Sequence, residues 1–357
     1  MKKVSLVVFV LQVFTLLFVS NSAIAEANKL PSLNVKLKDV TVSGLSSGAF
    51  MTTQMYVANS DIMSGAGIVA GGPYLCARSW DFESNISNAT GACMNPLTPS
   101  TGPNTDHLVD LTKELSSNKE IDSIENLKDD KIYLFSGQAD ETVTTMVMDQ
   151  TYNYYASLGI SRDSIRYNKK VDAGHAFITD DSDDSKCDLT KSPFINDCDI
   201  YQASEILNFL YSGLNKPTKA QKQKIFEFDQ TEFIDSDYTS MSESGFLYVP
   251  ESCEQGGCRL HVVYHGCLQG YKVIGDLYYN TLGYNEIADT NNLVLLYPQV
   301  QPSNKAPFNP QGCWDFWGYS EPKSSNPDFY SKNAPQLKAV RAMIDRLAGP
   351  LNTLAKQ

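Results

Sequence analysis

Apolar and polar positions alternate through Val40-Thr41-Val42-Ser43 in a β-branched run, which predicts a short strand. The period then changes, because Phe50, Met51, Met55, Tyr56 and Ala58 recur at helical spacing. The same exchange repeats downstream. Gly65 to Gly72 reads as a buried strand leaving into a loop, and a cysteine-bounded, Asn/Ser/Pro-rich excursion follows to about Pro103. Leu108, Leu111 and Leu115 have helical spacing, as do Ile121, Ile124 and Leu127. Lys131 to Phe135 is a compact apolar strand, and a helix follows from Met146 to Tyr155. Next come a strand around Ser164 to Val171 and a helix from Ile200 to Tyr211, with Gly213 placed to cap it.

From Leu214 to about Ser244 the pattern weakens and turns rich in Lys, Gln, Asp and Ser, which marks residues 214–244 as a connecting segment. Strands resume at Gly245–Pro250, Arg259–Cys267 and Leu293–Pro298, with a helical stretch at Tyr284–Ala288. The chain closes on an amphipathic helix carrying Leu337, Val340, Met343, Ile344 and Leu347, with Asn333 as its expected cap and Gly349-Pro350 as its stop. Strands alternating with helices imply a mainly parallel sheet covered on both faces.

Composition adds a compartment. A basic Met1-Lys2-Lys3, an apolar run from about Val4 to Val19 and the small-residue site Ala23-Ile24-Ala25 make a secretory signal peptide, residues 1–25, cut after Ala25. The apolar run is short for a membrane span, so the mature chain, residues 26–357, is expected as a soluble exported single domain, extracellular or periplasmic, without a membrane anchor. With 41 Asp and Glu against 29 Lys and Arg, the net charge of −12 argues against nucleic acid or an anionic membrane surface as partner. All eight cysteines lie beyond the leader, at 76, 93, 187, 198, 253, 258, 267 and 313. An even number in an exported chain reads as disulfides, with about a hundred possible pairings. Sequence proximity suggests Cys76–Cys93, Cys187–Cys198, Cys253–Cys258 and Cys267–Cys313. A zinc site is disfavoured by scattered histidines and the lack of a C-x₂-C pair. Asn85-Ile86-Ser87 and Asn88-Ala89-Thr90 match the glycosylation pattern.

The candidate chemistry begins at Gly44-Leu45-Ser46-Ser47-Gly48, where G-x-S-x-G joins the first strand to the first helix. An abrupt strand-to-helix turn strains the serine and leaves no room for side chains at the two glycines, while exposing the hydroxyl at a helix N-terminus. A serine nucleophile needs a base, and the base needs an orienting carboxylate. Asp140 follows a strand in Gly137-Gln138-Ala139-Asp140, and His175 stands on the loop after the next strand. Ser46, Asp140 and His175 thus follow the Ser…Asp…His order of the α/β-hydrolase fold. Asp172 is too close in sequence to reach the imidazole from behind, and His107, His261 and His265 lie where a base is not needed. The oxyanion hole needs two N–H groups. One is that of Ser47; the other is expected from a His-Gly loop after an early strand, and His265-Gly266-Cys267 supplies it late in the chain. The order is therefore circularly permuted, with the nucleophile turn near the N-terminus, the oxyanion strand near the C-terminus, and 214–244 at the junction.

These pieces, together with Ala173-Gly174-His175 and Cys313-Trp314-Asp315-Phe316-Trp317, resemble secreted poly(3-hydroxybutyrate) depolymerases of the circularly permuted, single-domain type over nearly all of the mature chain. The resemblance implies a disulfide-stabilised serine esterase of short-chain polyhydroxyalkanoates, with oxyanion donors at Ser47 and Cys267 and polymer contact at Trp314 and Trp317. The linker and separate substrate-binding domain that many bacterial members append are not expected here. Neither metal nor organic cofactor is implied, and a monomer is expected. The run Thr179-Asp180-Asp181-Ser182-Asp183-Asp184 lacks EF-hand spacing and reads as a solvated loop. Two other functions stay open at this point: a carboxylesterase of small or oligomeric esters, such as hydroxybutyrate oligomers or feruloyl esters, and a non-catalytic binding protein on the same fold.

Overall fold

A computed structural model describes residues 28–218 and 224–351. The expected signal peptide and its cleavage site lie outside the described residues. The strands are β1 (Val40–Leu45), β2 (Met63–Val69), β3 (Lys131–Phe135), β4 (Ile165–Asn168), β5 (Phe177–Thr179), β6 (Ser185–Lys186), β7 (Ile195–Asp197), β8 (Ile225–Asp229), β9 (Ser244–Tyr248), β10 (Arg259–Tyr264) and β11 (Leu293–Tyr297). The helices are α1 (Ser47–Ala58), α2 (Asn85–Thr90), α3 (Thr105–Ser117), α4 (Thr145–Ser157), α5 (Gln202–Tyr211), α6 (Tyr271–Ile274), α7 (Leu277–Thr281), α8 (Tyr284–Ala288) and α9 (Pro335–Ala348).

Eight strands form one sheet in the order β4-β3-β2-β1-β10-β11-β9-β8. The run from β4 to β11 is parallel, while β9 pairs antiparallel with β11 and with β8. Counted from β8 onward through the chain's end and back to β4, the order becomes 1-2-4-3-5-6-7-8. That is an α/β-hydrolase sheet whose first four strands have been moved behind its last four, the permutation expected from the late His-Gly loop. Strand β1 sits at the centre and is buried at every position, so its last residue delivers Ser46 to the middle of the sheet's C-terminal edge. Ligands bind at that edge in parallel sheets because the connecting loops gather there.

Side chains alternate between two cores, as the pleat requires. Val40, Val42, Leu260, Val262 and Tyr264 join α1 and α9 on one face, while Leu45, Val263, Tyr133 and Phe135 join α5 and α8 on the other. Helix α1 is buried on all sides, which fits its apolar composition and its place between sheet, α9 and the loops above. Among the described residues no helix is long and apolar enough to cross a membrane. A second sheet, β5-β7-β6, follows the loop that carries His175, and the segment between β6 and β7 bonds that loop. The four disulfides pair as sequence proximity suggested: Cys76–Cys93, Cys187–Cys198, Cys253–Cys258 and Cys267–Cys313.

Several elements differ from expectation. Ile121, Ile124 and Leu127 do not form an α-helix; only a 3₁₀ turn at Ile124–Leu127 forms, started by the Ser123 side chain accepting the Glu125 N–H. Buried Ile121 and Leu127 are inserted into the core from a bent segment. Helix α9 is not capped by Asn333: Ala334 precedes Pro335 at the first turn, and the proline ring fixes the entry without a side-chain cap. Within 214–244 the chain adds β8 as the sheet's outermost strand. Of the two glycosylation patterns, Asn88 is buried with its amide donating to the Trp80 carbonyl, which leaves it inaccessible.

Candidate active site

Ser46 occupies the turn between β1 and α1 with φ 58° and ψ −124°, a conformation that costs a non-glycine residue about 1–3 kcal/mol and persists only when its surroundings impose it. They do. The Ser46 N–H donates to the Val69 carbonyl at 3.0 Å, and its own carbonyl accepts from Ala49 at 2.8 Å. A Cβ on Gly44 would lie 2.4 Å from the Gly48 carbonyl oxygen, and one on Gly48 would lie 2.3 Å from that of Tyr264. Both glycines are therefore required by contact between β1, α1 and β10. Ser46 remains partly exposed in this frame.

Asp140 follows β3 with its side chain fully buried. Its Oδ1 accepts the N–H groups of Thr142 at 2.8 Å and Val143 at 2.9 Å, which leaves Oδ2 to face His175 Nδ1 at 2.8 Å. The two loops are pressed together: a Cβ on Gly137 would fall 2.1 Å from the Ala173 carbonyl oxygen. The His175 loop is held from its other side, where its N–H donates to Thr190 Oγ1 at 2.9 Å and the Gly174 N–H to the Cys187 carbonyl at 2.8 Å. With Nδ1–H donated to the carboxylate, Nε2 is the free acceptor that a general base needs. Asp172, the nearer acid in sequence, is exposed.

The other histidines are occupied otherwise. His261 is buried between Thr41 Oγ1 (2.6 Å from Nδ1) and Ser43 Oγ (2.7 Å from Nε2), and burial pushes its pKa down to about 3. His265 donates from Nδ1 to the Gly266 carbonyl at 2.7 Å and accepts the Val300 N–H at Nε2, 3.2 Å away. Burial pushes its pKa down to about 4, so it is a neutral structural imidazole. His107 lies 3.6 Å from Asp81, away from these loops.

Ser47 opens α1, where its N–H has no carbonyl a turn earlier to bond. Gly266 lies against Ser46, since a Cβ there would sit 3.3 Å from the Ser46 Cβ. The adjoining Cys267 is tied by its disulfide to Cys313, and Trp314 N–H donates to Ser47 Oγ at 3.3 Å. The two expected oxyanion donors and the aromatic loop thus form one assembly. Of its tryptophans, Trp314 is fully buried, edge-on to Tyr264 with ring centroids 5.1 Å apart. It packs the core beneath the site, a correction to its expected substrate contact. Trp317 is partly exposed, edge-on to Phe316, which stacks on Phe50 at 4.1 Å.

Two polar side chains organise these loops without having been singled out in the sequence. Asp315 accepts N–H groups from Trp317, Gly318, Tyr319 and Ser320 and the Ser320 hydroxyl, so its carboxylate fixes the turn presenting Trp317. Gln269 bridges the His-Gly loop to the segment below His175. Asp315 was visible at the centre of the C-W-D-F-W motif; Gln269 carried no pattern at all. The acidic run at 179–184 bends back on itself, with Asp183 N–H donating to Asp181 Oδ1 and the Thr179 hydroxyl to Asp184. Among the described residues no group of three or more His, Cys, Asp or Glu is placed to hold a metal ion.

A strained serine at the end of the central strand, with a hydrogen-bonded Asp–His pair on the loops after β3 and β4 at the same edge of the sheet, defines an α/β-hydrolase. Comparison with known proteins narrows the class: the chain belongs to the poly(3-hydroxybutyrate) depolymerase family. It is 41% identical over 328 residues to a poly(3-hydroxybutyrate) depolymerase of Delftia acidovorans, covering 90% of this chain and 62% of that protein. It is 36% identical over 329 residues to a polyhydroxybutyrate depolymerase of Talaromyces funiculosus, covering 88% and 89%. The chain thus spans less than two thirds of the bacterial relative and most of the fungal one. The crystal structure of PHB depolymerase from Penicillium funiculosum superposes with a TM-score of 0.79 at 33% identity, covering 90% of this chain and 99% of that one. A PHB depolymerase variant complexed with an R3HB trimer gives 0.78 at 32% identity. No family model matches the chain.

Proposed function

We propose that this protein is an exported serine esterase that hydrolyses poly(3-hydroxybutyrate) or related short-chain polyhydroxyalkanoates with Ser46 as nucleophile, His175 as base and Asp140 as its orienting carboxylate. The observation that carries the reading is the buried Asp140–His175 hydrogen bond of 2.8 Å, on loops that leave the same edge of the sheet as a serine held at φ 58°. His175 takes the proton of Ser46 as the hydroxyl attacks the ester carbonyl, and Asp140 stabilises the resulting imidazolium. The N–H groups of Ser47 and Cys267 receive the tetrahedral oxyanion. His175 returns the proton to the departing hydroxyl end of the polymer, and a water activated by the same imidazole then releases the acyl group. Trp317, partly exposed on the loop that the Cys267–Cys313 disulfide ties to the His-Gly loop, is the proposed polymer contact. Residues 1–25 are proposed to direct export, and 26–357 to act as one monomeric catalytic domain, with no metal or organic cofactor required.

Purified protein is expected to clear an amorphous poly(3-hydroxybutyrate) suspension, and Ser46→Ala to abolish clearing. Hydrolysis of p-nitrophenyl butyrate without clearing would move the function to small or oligomeric esters. Activity on neither would leave a binding protein or an enzyme of another ester.

A further inference from the structure

Strand β10 ends at Tyr264, and the following loop must aim a single N–H, that of Cys267, at the space in front of Ser46. A loop of His, Gly, Cys and Leu has no ladder to hold it there. Leu268 adopts φ 60°, and its N–H donates to the Gln311 carbonyl at 2.7 Å, which secures the far side of the loop. The near side is secured by Gln269. Its Oε1 accepts the Gly266 N–H at 2.8 Å, and its own N–H reaches the Gly266 carbonyl at 3.3 Å. His265 Nδ1 donates to the same carbonyl at 2.7 Å.

That carbonyl belongs to the peptide unit whose N–H is the Cys267 donor. A trans peptide is planar, with C=O and N–H pointing opposite ways. Holding the Gly266 oxygen on one side therefore fixes where the Cys267 N–H points on the other.

The remaining atom of the Gln269 carboxamide reaches across to the histidine side. Nε2 donates both its hydrogens, to the carbonyls of Pro193 (2.9 Å) and Phe194 (3.1 Å). Phe194 in turn accepts the Phe177 N–H at 3.0 Å, two residues beyond His175, and the same segment supplies Thr190 to the His175 N–H. The side chain is 1% exposed, and the network fixes its orientation: a flipped amide would set its NH₂ against the Gly266 N–H.

We infer that Gln269 is a positioning residue for the oxyanion hole, one that locks the Gly266–Cys267 peptide and ties it to the loop under His175, so that oxyanion donor and base keep one relative geometry. The inference rests on the esterase reading above. Oxyanion donors act by preorganisation, and loss of a whole donor costs about 10²–10³ in kcat. Loosening one costs less.

The test compares the parent with Gln269→Met, which keeps length and volume but no hydrogen bonds. Gln269→Glu is the second variant, because it keeps an acceptor for the Gly266 N–H. Sites are counted by burst titration, and kcat, KM and inhibition by phenylboronic acid, whose serine adduct places a hydroxyl in the oxyanion position, are measured per site with p-nitrophenyl butyrate. For Gln269→Met, kcat is expected to fall about 10- to 100-fold with KM within about threefold, and boronate affinity to fall in parallel with kcat. Gln269→Glu sets a carboxylate oxygen against the Pro193 and Phe194 carbonyls, so kcat and boronate affinity are expected to fall in parallel there too. A purely structural role would reduce the number of titratable sites or the melting temperature and leave both per-site quantities unchanged, which overturns the inference. If the parent shows no Ser46-dependent boronate inhibition, the esterase reading itself is what fails.

Discussion

Asp140 holds His175 with one carboxylate oxygen and the polypeptide with the other: Oδ2 lies 2.8 Å from Nδ1, while Oδ1 accepts the N–H groups of Thr142 and Val143. The division leaves one geometry for the imidazole. Asp140→Asn keeps the shape and admits the wrong tautomer, since the amide can donate to Nδ1 and turn Nε2 into a donor. Turnover of p-nitrophenyl butyrate is expected to fall by about 10⁴ with a near-native melting temperature. A loss under tenfold would remove Asp140 from the mechanism.

Buried titrating groups oppose one another in acid. His261 and His265 are neutral in the fold, pushed down to about 3 and about 4 from 6.5, so the unfolded chain takes up protons first as pH falls through 6.5. Each then costs about 2 kcal/mol of stability between pH 7 and pH 5. Asp130, half-buried, is pushed up from 3.8 to about 7 by its loss of water, against the Tyr56 hydrogen bond, which favours the carboxylate. It takes up its proton in the fold first, so acid stabilises the protein through this group over the same interval. Asp130→Asn removes that compensation, and its stability is expected to drop more steeply than the parent's, by about 2 kcal/mol between pH 7 and pH 5. Urea unfolding at the two pH values, with disulfides intact, measures the difference. Parallel losses in both proteins would contradict the assignment.

How much of this was legible in the sequence follows from what forces each residue. Gly44 and Gly48 could be read because a strand-to-helix turn admits no side chain there, and backbone contacts of 2.4 and 2.3 Å are the physical form of that rule. Asp140 and His175 could be read because a parallel sheet places successive strand ends together. The permutation was readable from the late His265-Gly266 alone, and the strand order bears it out. Strand β8 escaped because it is short and lies in a stretch rich in Lys, Gln, Asp and Ser, although Phe226-Glu227-Phe228-Asp229 alternates as an edge strand does. Trp314 misled because residue type does not say which way a ring points, and this one points inward. Gln269 was silent since its partners at 193, 194 and 266 are brought together only by the fold.

The two tryptophans of the aromatic loop are separable by experiment. Trp314 is fully buried against Tyr264 and His265, so Trp314→Ala is expected to cost about 3–5 kcal/mol of stability by opening a cavity below the nucleophile turn. Trp317 is partly exposed, and Asp315 holds its backbone N–H at 3.1 Å, so Trp317→Ala leaves the loop in place. That variant is expected to slow clearing of polymer suspension about fivefold or more while kcat on the soluble ester stays within twofold, an effect of about 1 kcal/mol or more on contact with substrate. Equal effects on both substrates would make Trp317 a packing residue as well.

The disulfide between Cys267 and Cys313 closes a loop of 46 residues and joins the proposed oxyanion donor to the aromatic loop. Its removal acts on two levels. Chain entropy makes such a crosslink worth about 4 kcal/mol against unfolding. The local consequence is different in kind, because the Cys267 N–H survives substitution of its side chain while its tether does not. Gln269 still holds the peptide from the near side, and Leu268 still donates to Gln311 on the far side. The donor is therefore expected to loosen without being lost. In the double variant Cys267→Ser, Cys313→Ser, kcat per titrated site on p-nitrophenyl butyrate is expected to fall about tenfold at temperatures well below the lowered melting point. Stability then falls by the entropic amount and turnover by a separate, temperature-independent factor. If per-site turnover equals the parent's until the fold melts, the bridge serves stability alone, and the oxyanion loop needs no help from the aromatic one.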